Sequence, residues 1–154
     1  MLTDYLTEDS IDLDAAVKTP EEAIIDAGQM LVQQQRVKQA YVQAMIDSYH
    51  NLGPYIVIAP NIAMPHAAPG NYVICPCISF IRLSQPICFH HPTNDPVQFI
   101  FAVGSSSGHG HIEMLKDLSS FLMSPKNLNM LAEVKTNHEL INFLKKGGKG
   151  NEGD

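Results

Sequence analysis

The sequence predicts an α/β sandwich that folds as a single domain. Apolar residues recur at helical spacing toward both ends of the chain and at strand spacing in the middle, and a further helical pattern follows the last strand. The 154 residues are 45% apolar, which is enough for one substantial core. Because no repeat or linker separates two parts, one layered domain accounts for the whole pattern.

Two helices are predicted in the N-terminal third of the chain. Thr19 can cap the first helix, Pro20 suits its first position, and Glu22 completes a capping box. Apolar residues then follow at helical spacing. A second helix is predicted from about residue 38 to residue 49, and residues 51–54 (Asn-Leu-Gly-Pro) end it.

The middle of the chain changes to the period of strands. In order, the prediction is a strand at Tyr55–Ala59, a loop at Pro60–Asn71, a strand at Cys77–Leu83, a turn at Ser84–Pro86, a short strand at Ile87–Phe89, a polar loop at His90–Pro96 and a strand at Val97–Val103. These short apolar runs, bounded by glycine, proline and polar residues, are typical of buried strands.

The C-terminal third is predicted to be helical. A loop at Gly104–Gly110 precedes a helix at Ile112–Met123, a second helix begins at Ser124–Pro125, and a capping box of Thr136 and Glu139 precedes a third at Leu140–Lys146. We expect the domain to cover residues 1–146. The glycine-rich residues 147–154 are expected to form a flexible tail.

Composition and charge argue against several classes of function. The formal net charge of −6 disfavours nucleic-acid binding, which needs clustered Lys and Arg. No apolar run approaches a membrane span, and the N-terminus lacks the pattern of a secretory signal, so we expect a cytoplasmic protein with no direct membrane insertion. The three cysteines, Cys75, Cys77 and Cys88, do not indicate a disulfide scaffold. Cys75 and Cys77, on the same side of an extended segment, are expected to serve as small apolar fillers.

The loop after the first predicted strand contains the first candidate site residue, His66. Pro65 restricts the backbone just before it, and Ala67, Ala68 and Gly70 leave room for a large partner. Imidazole is both neutral and basic near pH 7, so an exposed histidine can act as a nucleophile. One histidine among prolines is equally typical of an ordinary loop, and the spacing alone decides nothing.

His111 is the second candidate, at the start of the predicted helix Ile112–Met123. Backbone donors and the helix dipole favour an anion at such a position. Histidines near helix starts are also common without any function. The residues by themselves therefore leave both interpretations open.

Both histidines lie in motifs that resemble those of one family. Residues 61–67, NIAMPHA, resemble the phosphorylation loop of the enzyme IIA proteins of the bacterial sugar phosphotransferase system (PTS), mannitol/fructose type, usually G-I-A-[IVM]-P-H. Residues 111–118, HIEMLKDL, are similar to the family's second histidine motif, H-L-E-L-L-x-x-L. Residues 21–47 resemble its paired first helices, and residues 92–97, PTNDPV, resemble the subgroup associated with ascorbate and related substrates. The resemblance spans about residues 1–146.

This resemblance implies a fold, a chemistry and a set of partners. The implied fold is a central mixed β-sheet flanked by helices on both faces. His66 is implied as the phosphoacceptor, forming a tele-phosphohistidine, and His111 as the residue that orients the phosphoryl group. The implied donor is the phosphorylated histidine-containing phosphocarrier protein (HPr). The acceptor is a cysteine of a cognate enzyme IIB, which phosphorylates the sugar, here ascorbate-like, as membrane enzyme IIC transports it. No cofactor or metal is implied, because the donor is already a phosphohistidine.

Four positions depart from the family's pattern. Asn61 replaces the usual glycine, although asparagine tolerates left-handed backbone angles better than most residues. Ala68 stands where arginine is frequent, which removes a cation that could contact phosphate. His90 stands where glycine is frequent, and Gly110 where a small polar residue is often found.

Three other functions remain open at this point. The first is a regulatory enzyme IIA-like protein that feeds no transporter, and the second is an interaction domain that has lost phosphorylation. The third is a metal-binding protein that uses cysteine and histidine side chains, although their spacings do not match the tetrahedral zinc template. Its candidate ligands are Cys75, Cys77, Cys88, His90, His91, His109 and His111.

Overall fold

The computed structural model describes residues 1–106 and 108–153, of which residues 108–109 and 147–153 are described by their backbone alone. The described residues form one five-stranded sheet and five α-helices. The strands are β1 (Ile11–Ala15), β2 (Val57–Ala59), β3 (Ile62–Ala63), β4 (Cys77–Ile87) and β5 (Val97–Gly104). The helices are α1 (Pro20–Gln33), α2 (Gln39–Leu52), α3 (Gly108–Leu122), α4 (Pro125–Glu133) and α5 (Asn137–Gly153).

The sheet is mixed, as expected, with the strand order β1-β4-β5-β3-β2. Strands β1 and β4 are parallel, and so are β3 and β5, whereas the pairs β4–β5 and β2–β3 are antiparallel. In the parallel pair β3–β5, Ile62 lies opposite Phe99 and Ala63 opposite Ile100. The pair β3–β5 matters most for function because both strands lead into the predicted histidine segments.

Helices cover both faces of the sheet, which confirms the predicted sandwich. Successive side chains of a strand point to opposite faces. In β5, Ile100 and Ala102 join a core formed with α1 and α2, whereas Phe99, Phe101 and Val103 join a second core formed with α3, α4 and α5. The near-continuous apolar sequence of β5 follows from this burial on both sides.

The predicted start of α1 is confirmed, and α2 ends at the predicted Gly53-Pro54 break, three residues beyond the predicted Tyr49. The Thr19 hydroxyl accepts the N–H of Glu22 at 3.1 Å, and the Glu22 carboxylate accepts the N–H of Thr19 at 3.2 Å. This is the reciprocal capping box that the sequence indicated. Helix α2 ends at Leu52, and Gly53 follows with φ +81°, a left-handed angle that glycine adopts without strain.

Several predicted strands have different limits in the structure. Strand β1 was not predicted, because its acidic side chains obscure the apolar period of an edge strand. Pro54–Ile56 forms a 3₁₀ turn, so the strand predicted at Tyr55–Ala59 begins only at Val57. Strand β3 lies inside the predicted loop, where two residues are too few to show a period.

The turn predicted at Ser84–Pro86 is an irregularity within β4, which continues to Ile87. Between the pairs Arg82–Phe99 and Ile87–Val97, four residues of β4 face a single residue of β5. The extra residues bulge out of the ladder instead of reversing the chain. Residues Ser84–Pro86 have the composition of a turn, but in the structure they form part of a bulge within β4.

The limits of helices α3 and α5 also differ from the predicted ones. Helix α3 begins at Gly108, earlier than the predicted Ile112, so the loop before it is shorter than Gly104–Gly110. Helix α5 extends through residues 147–153 as far as the backbone is described, and the flexibility of this segment stays a prediction. Within the part of the chain that the structure describes, no helix has the length and apolar character needed to cross a membrane.

Candidate active site

The topology brings His66 and His111 together at one edge of the sheet. His66 follows β3 and His111 lies in α3, which follows β5. Because β3 and β5 are adjacent and parallel, their carboxyl ends lie at the same edge, and the segments that follow them meet there. The centroids of the two imidazole rings are 6.3 Å apart, with the ring planes inclined by 48°.

The imidazole of His66 is held in one tautomer by its own loop. Its Nδ1 lies 2.8 Å from the carbonyl oxygen of Met64. Since a carbonyl oxygen only accepts hydrogen bonds, Nδ1 carries the proton and Nε2 keeps its lone pair. The Tyr55 hydroxyl therefore donates to Nε2, at 3.3 Å, and its ring meets the His66 ring edge-on at 5.7 Å. His66 thus presents a nucleophilic Nε2 to the partly exposed side of the loop.

The backbone on either side of His66 is tied to the core. The buried Tyr41 hydroxyl donates to the Val103 carbonyl at 2.7 Å and accepts the N–H of Ala67 at 3.1 Å. Burial raises the pKa of Tyr41 to about 12, so the hydroxyl keeps its proton. The Val103 N–H donates to the Pro65 carbonyl at 3.1 Å. These bonds fix the residues immediately before and after His66 to the end of β5.

Asn61 forms the turn that joins β2 to β3. Its φ of +74° lies in the left-handed region, which suits the glycine usual in the family and is tolerated by asparagine. Its N–H donates to the carbonyl of Asn94 at 3.0 Å, and its carbonyl accepts the N–H groups of Gln98 and Phe99. The substitution at this position therefore leaves the turn and the path of β3 intact.

His111 is the fourth residue of α3 and lies in its first turn. Its Nδ1 is buried and has no hydrogen-bond partner among the described residues. Desolvation by burial, followed by repulsion from a charged His66, lowers the pKa of His111 from its ordinary value of 6.5. His111 is therefore neutral at pH 7 before any anion arrives.

Several apolar side chains close in sequence to the two histidines are exposed. Tyr55 and Ile58 are exposed close to His66 in sequence, and Ile112, beside His111, is 65% exposed. The segments 55–70 and 104–115, which contain the two histidines, contain no Lys or Arg. Ala68 is exposed at the position where arginine is frequent in the family. An anion at this site would depend on neutral hydrogen-bond donors from these segments.

The sequence indicated both histidines as candidate site residues. It did not indicate Tyr41 and Tyr55, which contact the loop that contains His66. Tyr41 occupies an apolar position of α2, where the only signal was that a buried tyrosine hydroxyl needs a partner. Tyr55 was assigned to a strand, and nothing in the sequence signalled its contact with His66. Both contacts depend on how distant segments pack.

Of the residues in the metal-binding alternative, Cys88, His90 and His91 belong to a local hydrogen-bonded turn that Asp95 closes. The Cys88 thiol donates to the Asp95 carboxylate at 3.0 Å, and His91 accepts backbone N–H groups at its Nδ1. The three cysteines are free thiols, with Cys77 buried. Among the described residues, no group of three or more His, Cys, Asp and Glu side chains could hold a metal ion. The side chain of His109 lies outside the described part of the chain.

Comparison with known proteins identifies the family of this chain. Residues 4–147 match the family model described as phosphoenolpyruvate-dependent sugar phosphotransferase system, EIIA 2. The chain belongs to this family.

Two curated relatives match almost the whole chain. The ascorbate-specific PTS system EIIA component of Escherichia coli K12 is 32% identical over 145 residues, covering 93% of this chain and 94% of the relative. The mannitol-specific cryptic phosphotransferase enzyme IIA component of the same organism is 31% identical over 147 residues, covering 95% and 99%.

Solved structures agree with the fold. The solution structure of that cryptic mannitol enzyme IIA superposes with a TM-score of 0.82 at 30% identity, covering 94% of this chain and 98% of the other. Enzyme IIA from the Escherichia coli complex of mannitol enzyme IIA with phosphorylated enzyme IIB gives a TM-score of 0.77 at 25% identity, covering 90% and 95%.

Proposed function

We propose that this protein is a phosphocarrier in which His66 accepts a phosphoryl group from phosphorylated HPr and passes it to a cysteine of a cognate enzyme IIB. The observation that carries the proposal is the unprotonated Nε2 of His66, presented at the sheet edge while Nδ1 is hydrogen-bonded to the Met64 carbonyl. Family membership supplies the class of reaction.

The transfer is a displacement at phosphorus in which no net proton moves. The lone pair of His66 Nε2 forms the new N–P bond, while the donor's N–P bond breaks and its electron pair returns to the donor nitrogen. The proton on Nδ1 remains bonded to the Met64 carbonyl throughout. The product is a tele-phosphohistidine of similar energy to the donor, so the proposal requires no metal or nucleotide.

His111 orients the phosphoryl group in this proposal. Its ring is 6.3 Å from that of His66, a separation that a phosphoryl group can bridge. Before transfer His111 is neutral and can donate one hydrogen bond; the arriving negative charge then favours its protonated form. Catalysis by such a site consists mainly of positioning and of hydrogen bonds to the phosphoryl oxygens.

The partners and the cargo are inferred from relatives. The solved complex of mannitol enzyme IIA with phosphorylated enzyme IIB supports an enzyme IIB as acceptor. The ascorbate-specific relative supports an ascorbate-like sugar, taken up through a membrane enzyme IIC. We place the exchange in the cytoplasm, where HPr is phosphorylated.

The experiment that tests the proposal is transfer from phosphorylated HPr, followed by the intact mass of the domain. The wild type is expected to gain one acid-labile phosphoryl group and His66→Ala none. His111→Ala is expected to be labelled but to transfer more slowly. His50→Ala, which removes a histidine that pairs with Glu21, is the matched control and is expected to behave as the wild type.

Two results of this experiment would change the conclusion. Full labelling of His66→Ala would show that the acceptor is another residue. Labelling of the wild type without onward transfer to the ascorbate and mannitol enzymes IIB would favour a regulatory role over a role in transport.

A further inference from the structure

The contact between Tyr55 and His66 has a chemical consequence for the reaction. The Tyr55 hydroxyl donates to Nε2, which is the atom that must form the bond to phosphorus. At 3.3 Å this hydrogen bond is longer than the usual range, so little is lost when it breaks. The hydroxyl is thus already placed beside the reacting atom and is free to leave it.

Neither of the two segments that contain the histidines supplies a Lys or Arg side chain for the phosphoryl oxygens. A phosphoryl group carries close to two negative charges at neutral pH. The two segments that contain the histidines have no Lys or Arg, and Ala68, two residues after His66, is an exposed alanine. The donors that remain include the Tyr55 hydroxyl, the imidazole of His111 and backbone N–H groups.

We propose that Tyr55 is a catalytic residue whose hydroxyl moves from Nε2 of His66 to an oxygen of the incoming phosphoryl group. This inference rests on the proposed function of His66. As the Nε2 lone pair forms the N–P bond, it can no longer accept the phenolic hydrogen bond. The hydroxyl then donates to a phosphoryl oxygen bonded to the same phosphorus, without itself losing a proton.

The exchange of hydrogen bonds favours the phosphorylated state. In the free protein the phenol donates weakly to a neutral nitrogen, whereas after transfer it donates to a charged oxygen, and charge-assisted hydrogen bonds are the stronger kind. The edge-on contact of the two rings, with centroids 5.7 Å apart, keeps the phenol beside the imidazole in the free protein. Tyr55 therefore supplies part of the stabilisation of the phosphoryl group.

The test compares Tyr55→Phe with Tyr72→Phe. Tyr55→Phe keeps the ring that contacts His66 and removes only the hydroxyl. Tyr72 is similarly exposed, at 49% against 46% for Tyr55, and makes no described contact with His66, so Tyr72→Phe is the matched control. Both variants are first checked for an unchanged unfolding midpoint.

Phosphorylation is then measured with two donors, HPr and the small molecule phosphoramidate. With both donors we expect Tyr55→Phe to be phosphorylated about tenfold more slowly, a loss smaller than that for a fully buried donor because Tyr55 is partly exposed. The equilibrium with phosphorylated HPr should shift about fivefold away from this protein. Tyr72→Phe should match the wild type in every measurement.

Three outcomes would overturn the role of Tyr55 while leaving that of His66 intact. These are an unchanged rate in Tyr55→Phe, an equal loss in Tyr72→Phe, and a loss seen with HPr but not with phosphoramidate, which would assign Tyr55 to partner docking. Failure of the wild type to be labelled by either donor would instead contradict the proposed function itself.

Discussion

The Nδ1 atom of His66 lies 2.8 Å from the carbonyl oxygen of Met64, two residues earlier in the same loop. This single bond assigns the proton to Nδ1 and leaves Nε2 as the nucleophile. The bond depends on the backbone path through Pro65, whose carbonyl is itself held by the N–H of Val103. The reactive tautomer is therefore set by the end of β5 and not by a side-chain partner.

Removing the hydroxyl of Tyr41 should lower both stability and activity. Tyr41→Phe leaves the Ala67 N–H and the Val103 carbonyl without the hydroxyl they share, and we expect the free energy of unfolding to fall by about 1–3 kcal/mol. Phosphorylation should slow by about tenfold, because the loop around His66 loses its anchor. Urea unfolding and the HPr transfer assay measure the two effects.

Tyr49→Phe is the matched control for this variant. Tyr49 is also buried in α2, and its hydroxyl donates to the Phe89 carbonyl at 3.0 Å, in a different loop. It should lose stability to a similar degree while keeping its rate of phosphorylation. A positioning role for Tyr41 is ruled out if both variants lose stability and neither loses rate.

The turn at Asn61 should accept glycine but not alanine. The φ of +74° costs an ordinary L-residue about 1–2 kcal/mol, whereas glycine adopts it freely. Asn61→Ala should therefore lose about that much unfolding free energy, and Asn61→Gly should stay within about 1 kcal/mol of the wild type. Equal stability of the two variants in urea would show that the backbone angle does not limit this position.

The depressed pKa of His111 should make stability depend on pH. Because the pKa of His111 is lower in the folded state than its ordinary 6.5, the unfolded state binds more protons between these two values. The stability that depends on a neutral His111 is therefore fully present above about pH 6.5. It is lost as the pH falls toward the pKa of His111 in the folded state. The free energies of unfolding of the wild type and of His111→Gln are measured from pH 5 to 8. The difference between the two proteins should shrink or change sign as the pH falls.

Titration by nuclear magnetic resonance separates the two causes of this depression. In His66→Ala the pKa of His111 should rise part of the way back, since repulsion from His66 is lost while desolvation remains. Phosphorylation of His66 should raise the pKa of His111 further, because the phosphoryl group adds negative charge beside it. A pKa of His111 that is the same in all three states would remove it from the vicinity of the phosphoryl group.

A cation introduced at residue 68 should stabilise the phosphorylated state of His66. Ala68→Arg places a guanidinium next to the His66 loop, where it can donate two hydrogen bonds to phosphoryl oxygens. We expect the equilibrium with phosphorylated HPr to shift toward this protein by about fivefold. Ala68→Gln, of similar length but neutral, is the control; an equal shift in both variants would mean that charge is not what the site lacks.

Local patterns in the sequence predicted where several helices begin or end, and the family motifs indicated the two histidines as candidates. The capping box at Thr19 and the end of α2 at Gly53 both depend on residues adjacent in sequence, and both were confirmed. Strand β1 and the two-residue β3 escaped prediction because pairing with distant strands, and not their own composition, makes them strands.

The site was only partly predictable for the same reason. The family motifs indicated His66 and His111, and the parallel pairing of β3 and β5 explains why segments so far apart in sequence meet. Tyr41 reaches Ala67 across 26 positions of sequence, a contact that no local spacing encodes. Tyr55 contacts His66 from a 3₁₀ turn, at a position where the sequence had predicted a strand.

The position of the phosphoryl group on His66 is the most direct test of this account. Long-range proton–nitrogen correlation spectra of the histidine side chains, recorded before and after phosphorylation by HPr, identify the protonated and the phosphorylated nitrogen of each ring. We predict that His66 is protonated at Nδ1 in the free protein and phosphorylated at Nε2 afterwards. Phosphorylation at Nδ1, or on a histidine other than His66, would contradict the account.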